Sequence, residues 1–186
     1  MRIRSEMISS KNRLRQHTAI LRACCQGLIL VALVAVSPIS PASDFPVADK
    51  VVVEKEKRKL HLIKNDAIFR TFDIALGITP IGGKEEEGDF KTPEGHYTLD
   101  TRNPDSDFFL SIHVSYPNSK DRRAARTNGV APGGQIMIHG QPNSPTYSAA
   151  YYKKQDWTNG CIAVSNSDII DIWLMTPNDI PIEILP

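Results

Sequence analysis

The sequence predicts a mainly β fold with one or a few helices, and two observations support that prediction. Short apolar or alternating runs, bounded by Gly, Pro, Asn and Asp, recur between residues 51 and 186, which is typical of strands joined by turns. Only residues 165 to 175 combine a helix-start signal with apolar residues at helical spacing. We therefore expect residues 51 to 186 to form one domain around one hydrophobic core.

The predicted strands follow the apolar runs in chain order. A first strand is expected at residues 51 to 53. A hairpin follows at 60 to 64 and 67 to 75, since Asn65-Asp66 suits a tight turn. Residues 77 to 95 hold five of the eleven glycines and predict a long solvated loop that ends in a turn. Further strands are expected at residues 96 to 100, 108 to 114, 136 to 140 and 180 to 185.

One helix is predicted with both its start and its buried side. Ser165 to Asp168 has the S-x-x-D pattern of a helix N-terminus. Ile169, Ile172 and neighbouring apolar residues supply a buried side as far as Met175. Residues 121 to 126 carry three arginines and are expected as either a short helix or a basic loop.

The first 42 residues predict a secretory signal peptide. Six basic residues stand against one acidic residue before position 23, and an apolar run from Gly27 to Val36 follows. Small residues at Ser40 and Ala42 suit a signal peptidase, so we expect cleavage after Ala42. The alternative is an uncleaved anchor, but the run has about half of the roughly 20 residues that span a bilayer. The expected outcome is a periplasmic protein without stable membrane insertion. Residues 43 to 50 are expected to be a short linker between the signal peptide and the domain.

Removal of that segment changes the charge balance. Loss of six basic residues and one acidic residue takes the formal net charge from +1 to −4. Such a balance argues against a partner that is a nucleic acid or an anionic membrane.

Cys161 and His139 are the candidate catalytic pair. Cys24 and Cys25 leave with the predicted signal peptide, so Cys161 is expected as an unpaired thiol in an oxidising compartment. A thiol with a pKa of about 8.5 is only slightly ionised at neutral pH, and a nearby imidazole can take its proton. The Asn159-Gly160 turn lets the backbone approach a substrate. The N–H groups of Gly160 and Cys161 are candidate donors to an oxyanion.

Each of these residues also has a structural interpretation. An isolated cysteine is often a small buried hydrophobe, and a histidine that ends an apolar strand is often a core residue with its hydrogen bonds satisfied. His61, His96 and His113 lie within strand-like segments, where the structural interpretation is favoured. Trp157 and three tyrosines, at 147, 151 and 152, either line a groove for a polymeric ligand or pack on the domain.

Other reaction classes lack their motifs. The sequence contains neither S-x-x-K nor G-x-S-x-G, the signatures of two kinds of serine enzyme. It also lacks H-E-x-x-H and C-x-x-C, and one thiol with scattered histidines makes a poor zinc site. No metal and no other cofactor is therefore expected.

Three segments resemble the motifs of the YkuD-type L,D-transpeptidase catalytic domain. They are IMIHGQP, which contains His139; DWTNGCIAV, which contains Cys161; and GDFKTPEGHYTL. The resemblance runs over residues 51 to 186 in the family's order. It implies a β-sandwich-like catalytic domain in which Cys161 is the nucleophile, His139 the general base and Gly160 part of the catalytic turn. Trp157, Thr158 and Asn159 would then contact substrate.

The same resemblance implies a substrate and a reaction. Cys161 would attack the peptide bond after the L-centre of the diamino acid in a peptidoglycan stem peptide, expel D-alanine and form an acyl-enzyme. An amine would resolve that intermediate, giving a 3-3 cross-link or attaching a protein to the wall.

One departure from the family pattern leaves the reaction direction open. Many members carry Arg two residues after the cysteine, and here that residue is Ala163. Arg122, Arg123 and Arg126 are candidates for the missing positive charge. The W-T-x-G-C-I-A form resembles a branch that includes murein hydrolases, so an endopeptidase or amidase with the same Cys-His pair is the alternative. A third hypothesis is a wall-binding module that keeps the fold without catalysis.

Overall fold

The computed structural model describes residues 45 to 186, and the predicted signal peptide lies outside these residues. Within them, no helix is both long and apolar enough to cross a bilayer. The strands are β1 (Lys50–Glu54), β2 (Lys59–Lys64), β3 (Ala67–Asp73), β4 (Gly95–Ser106), β5 (Phe109–Val114), β6 (Met137–His139), β7 (Ile162–Ala163) and β8 (Ile180–Leu185). The helices are α1 (Ser119–Asn128), α2 (Ala149–Lys154) and α3 (Asn166–Met175).

The eight strands form one sheet in the order β3-β2-β1-β8-β4-β5-β6-β7. The pairs β1–β8 and β6–β7 are parallel, and the other neighbours are antiparallel. Alternate residues point into the core, as Val51 and Val53 do beside Ile182 and Ile184. The mainly β prediction is confirmed.

The two edges of the sheet are bridged to each other. Ala75, just beyond edge strand β3, pairs antiparallel with Ala163 of the opposite edge strand β7. Each residue donates its N–H to the other's carbonyl at 2.8 Å. A second bridge joins Gly77 to Thr158. We call this contact between residues 75–78 and 157–163 the seam, because it joins the two edges of the sheet.

The predicted helix is confirmed as α3, and its cap is the predicted one. Ser165 Oγ accepts a hydrogen bond from Asp168 N, while Ile169, Ile172 and Met175 are buried. The alternatives for residues 121 to 126 resolve to a longer helix, α1. Its N-cap is Asn118, which sequence analysis missed.

Three other features differ from the sequence prediction. Helix α2 and strand β7 were not predicted, because six and two residues are too few for a periodic pattern. Strand β4 was predicted to end at Asp100 but continues to Ser106. Its pairing with β5 contains two register shifts, and the second, between Asn103 and Ser106, accommodates the strand-disfavouring residues 103 to 105.

The long loop from Gly77 to Glu94 is fastened by one buried lysine. Lys55 is 2% exposed, and its Nζ donates to Gly82 O at 2.6 Å, Thr92 O at 3.1 Å and Glu94 Oε1 at 2.7 Å. A buried ammonium is stable only when such partners replace water. Lys55 therefore ties Gly82, inside the loop, and the C-terminal end of the loop to the end of β1.

Replacing Lys55 with Met should destabilise the fold, because it removes three hydrogen bonds while keeping the apolar stem. We expect the free energy of unfolding in urea to fall by about 2 to 3 kcal/mol. Lys57→Met is the matched control, since Lys57 is 66% exposed and forms an exposed ion pair with Glu54; its loss should stay under about 0.5 kcal/mol. Equal losses in the two variants would contradict a role for Lys55 in holding the loop.

Candidate active site

The pairing of β6 with β7 brings Cys161 close to His139. The parallel register sets Ile138 beside Ile162 and His139 beside Ala163. Cys161 comes directly before β7, so it lies next to the strand that ends in His139. The two residues are therefore neighbours in the fold although they are 22 positions apart in the chain.

Both residues line a cleft of about 350 Å³ beside the seam. The other lining residues include the predicted Trp157, Thr158 and Asn159, and two regions that sequence analysis missed: Phe108 and residues 134 to 136. Gly160 lies in the turn between Asn159 and Cys161. The fold thus brings together all six predicted site residues, which come from two separate segments of the chain.

The Cys161 thiol is neutral in this environment. Its Sγ donates to Gln135 O at 3.5 Å. Burial raises the pKa of the thiol, and this effect exceeds the opposing contributions of the Met137 N–H and the Lys84 ammonium. The Gln135 carbonyl is presented by a left-handed backbone with φ 57°, an uncommon conformation for a residue with a side chain. Such backbone detail leaves no signal in the sequence.

His139 is held in the tautomer that a general base requires. It is 3% exposed, and its Nδ1 lies 2.6 Å from Gly140 O. A carbonyl can only accept, so Nδ1 carries the proton and Nε2 keeps its lone pair. Burial lowers the pKa of His139 to about 4, outweighing the bond to Gly140. At neutral pH the pair is therefore a thiol beside a neutral imidazole.

Thr158 shapes the turn that carries the cysteine. Its side chain is buried, donates to Cys161 O at 2.7 Å and accepts from Gly160 N at 3.1 Å. Gly160 has φ 124°, and a Cβ there would lie 2.6 Å from Lys91 O, so only glycine fits. The Gly160 N–H is engaged by Thr158, which corrects the expectation that it serves as an oxyanion donor. Cys161 N–H is then the remaining candidate.

Aromatic rings fix the wall of the cleft. The rings of His139, Phe108 and Trp157 pack against one another in a triangle. The ring centroid of His139 is 4.5 Å from that of Phe108 and 5.6 Å from that of Trp157, and the latter two are 6.0 Å apart. Trp157 Nε1 donates to Tyr152 O at 3.2 Å, and Tyr152 is buried. Beyond it, Tyr147 and Tyr151 stack at 4.3 Å and are exposed. Trp157 and Tyr152 therefore pack on the domain, whereas Tyr147 and Tyr151 face solvent.

Asp156, which precedes Trp157, is a positioning residue that sequence analysis missed. Its Oδ1 accepts from Leu76 N at 2.8 Å, and its two carboxylate oxygens accept from the Arg58 guanidinium. These bonds tie the start of the cysteine-bearing segment to the seam. The sequence shows an acidic residue beside the W-T-N-G-C motif, but it does not show that Arg58, 98 residues away, is the partner of that residue.

The other sequence candidates lie away from the cleft. His61 contacts Thr71 and Glu54, and His113 contacts Asp100, as structural histidines do. Arg122, Arg123 and Arg126 are on α1, and within the described residues none of them lines the cleft. Residues 45 to 186 contain no group of three His, Cys, Asp or Glu side chains arranged for a metal ion.

Comparison with known families identifies the domain. Residues 48 to 184 match the model of the YkuD family, the L,D-transpeptidase catalytic domain. The chain belongs to this family. The match covers all of the described strands except the last residue of β8.

Individual relatives of this L,D-transpeptidase domain are moderately similar. YafK of Escherichia coli K12 is 33% identical over 129 residues, which cover 66% of this chain and 45% of YafK. The crystal structure of the helical cell shape determining protein Pgp2 from Campylobacter jejuni has a TM-score of 0.55 at 26% identity, covering 73% of this chain and 46% of Pgp2. Bd1075 of Bdellovibrio bacteriovorus has a TM-score of 0.51 at 27% identity, covering 78% and 52%. The chain spans about half the length of these relatives.

The burial of neutral His139 predicts a pH-dependent stability. Because the folded pKa is about 4 and the unfolded value about 6.5, the unfolded chain binds the proton first as pH falls. The stabilising contribution of neutral His139 is therefore complete above about pH 6.5 and is lost as the pH falls from about 6.5 to about 4. Relative to His139→Asn, the wild-type protein should lose about 3 kcal/mol more between pH 7 and pH 4, measured by urea unfolding.

A histidine on the surface supplies the control for this measurement. The His96 side chain is 80% exposed, so His96→Gln should keep the wild-type pH dependence. Parallel stability profiles for the wild-type protein and His139→Asn would show that His139 is not held neutral by burial.

Proposed function

We propose that this domain is a periplasmic cysteine L,D-transpeptidase that acts on the stem peptides of peptidoglycan. The observation that carries the proposal is the meeting of Cys161 and His139 in one cleft, with His139 Nδ1 bonded to Gly140 so that Nε2 is the basic nitrogen. Membership of the L,D-transpeptidase family supports the reaction class. The name of Pgp2, a cell shape determining protein, supports a role in the wall.

The first half of the proposed reaction forms a thioester. His139 Nε2 takes the thiol proton as Cys161 Sγ attacks the carbonyl carbon at the L-centre of the diamino acid. The resulting oxyanion is placed near the Cys161 N–H. The C–N bond then breaks, and the imidazolium returns its proton to the amine of the departing D-alanine.

The second half transfers the acyl group to an amine. The amine of a neighbouring stem, or of a protein destined for the wall, loses a proton to His139 and attacks the thioester. Collapse of the intermediate restores the Cys161 thiol. Transfer requires that water be kept from the thioester. The apolar rings of Phe108 and Trp157, which pack against His139, serve that purpose.

Hydrolysis of cross-links or wall-bound protein is the second candidate, and Ala163 favours it. Ala163 is buried and bonded to Ala75 in the seam, so this position presents no cation. Both directions share the thioester, and the product depends on whether an amine or water reaches it first.

The test uses purified protein lacking residues 1 to 42, together with its Cys161→Ala and His139→Ala variants. Each is incubated with tetrapeptide muropeptides and with 3-3 cross-linked dimers, and products are read by mass spectrometry. We expect dimers or D-amino-acid exchange in the wild-type protein, reduced by about a thousandfold or more in both variants because nucleophile and base act together. His96→Gln is the control that should keep full turnover.

The remaining outcomes separate the alternatives. Cysteine-dependent loss of the dimers would establish a hydrolase. Turnover that survives in Cys161→Ala would rule out both thioester reactions. Binding to the sacculus without turnover, unaffected by blocking the thiol, would indicate a binding module. Recovery of the protein from the periplasm with residue 43 as its N-terminus would verify export and cleavage after Ala42.

A further inference from the structure

A buried cation lies beside the cleft and has no role in the reaction as described. The Lys84 side chain is 4% exposed, although it belongs to the glycine-rich loop. Its Nζ donates to Asp89 Oδ1 at 2.7 Å and to Glu86 O at 3.0 Å. An ammonium has three N–H donors, so these bonds leave one for a ligand.

Asp89, the partner of Lys84, has further hydrogen bonds inside the loop. Asp89 is 9% exposed and accepts backbone N–H groups from Glu85 at 2.8 Å, Glu86 at 3.1 Å and Lys91 at 3.0 Å. Burial alone would raise the pKa of Asp89, but these bonds together with Lys84 lower it to about 2. Three backbone donors thus hold the carboxylate in addition to the lysine. The third N–H of Lys84 is engaged by neither Asp89 nor Glu86 and can meet a ligand.

Lys84 faces a second cavity that adjoins the cleft of Cys161. This cavity of about 270 Å³ is lined by Lys84, Gly133, Gly134 and Asn159 among others. Gly134 and Asn159 also line the cleft, so the two spaces are adjacent at these residues. A Cβ on Gly133 would lie 3.4 Å from Lys84 Cε, and its absence leaves room over the lysine.

Lys84 is the one cation among the described residues that line this cavity. Glu87 also lines it, but Glu87 is exposed, and solvent screens its charge more than that of the buried lysine. The Lys84 ammonium also acts on the sulfur, since it opposes the rise in the pKa of Cys161. Ala163, at the position where many members of the family carry Arg, supplies no positive charge.

We infer that Lys84 is a substrate-binding residue that takes a free carboxylate of the acyl donor in this cavity and so selects carboxylate-bearing over amidated stem peptides. The inference about peptides rests on the proposed function. The recognition of a carboxylate beside Cys161 does not, and it can be tested without turnover. The competing explanation is that Lys84 only braces the loop.

The first experiment compares alkylation of Cys161 by iodoacetate, a carboxylate, and by neutral iodoacetamide at low ionic strength. We expect the ratio of the two rate constants to fall about fivefold in Lys84→Met. Lys64→Met is the matched control, because it removes the same charge from the exposed end of β2 and should leave the ratio unchanged. Lys84→Arg should keep most of the preference.

A bracing role would give a different result. It would change both rates together, and the long-range field of the ammonium alone would lower the ratio only at low ionic strength, because salt screens it. The comparison is therefore repeated at high ionic strength, and a ratio in Lys84→Met that is unchanged there would overturn the inference. If Lys84→Met fails to fold, Lys84→Gln keeps a donor for Asp89, and the same fivefold fall is expected there. An unchanged ratio in a folded Lys84→Gln would likewise overturn it.

The second experiment measures kcat/KM for two tetrapeptide stems that differ only in a free or an amidated carboxylate on the diamino acid. The wild-type protein should prefer the free carboxylate by about tenfold, and Lys84→Met should lose the preference. Equal losses on both stems would contradict recognition of that carboxylate. If the wild-type protein turns over neither stem, the proposed function fails, and the alkylation ratio still decides whether Lys84 recognises a carboxylate.

Discussion

The closure of the sheet at the seam is the constraint on which the candidate site depends. Ala75 and Ala163 exchange two hydrogen bonds, Ile78 N donates to Thr158 O, and Leu76 O accepts from both Trp157 N and Thr158 N. Asp156 adds a bond to Leu76 N. The segment that carries Cys161 is therefore fixed at both ends, by Asp156 before it and by β7 after it. A two-residue strand is adequate because the seam supports it from the other side.

The seam in turn requires the long loop to lie against it. A Cβ on Gly77 would lie 2.0 Å from Phe90 O, and one on Gly160 would lie 2.6 Å from Lys91 O. Three stretches of backbone are thus in direct contact, and side chains are excluded from two of them. Ordering so long a loop costs conformational entropy. Two buried lysines oppose that cost: Lys55 bonds Gly82 and the C-terminal end of the loop, and Lys84 pairs with Asp89 within it.

Local signals in the sequence predicted the elements whose determinants are local. Asn65 and Asp66 both adopt the positive φ values of a tight hairpin turn, and Ser165 caps α3. The candidate pair also follows from residue chemistry, since an unpaired cysteine after a glycine invites a search for a base. The sequence did not predict the burial of Lys84, because an acidic run next to a glycine-rich stretch has the composition of a solvated loop. Its partner, Asp89, is near in sequence, but the fold alone decides that the two turn inward.

The sequence does not predict the protonation states of Cys161 and His139, because burial sets them. A sequence can place a thiol near an imidazole, but only the structure shows that His139 and Cys161 are both kept neutral. In the proposed periplasmic setting this arrangement has a chemical advantage. Oxidants react mainly with thiolates, so a thiol with a raised pKa is less exposed to damage while no substrate is bound. We infer that ionisation is deferred to the reaction itself, when His139 takes the proton as the carbonyl carbon accepts the sulfur.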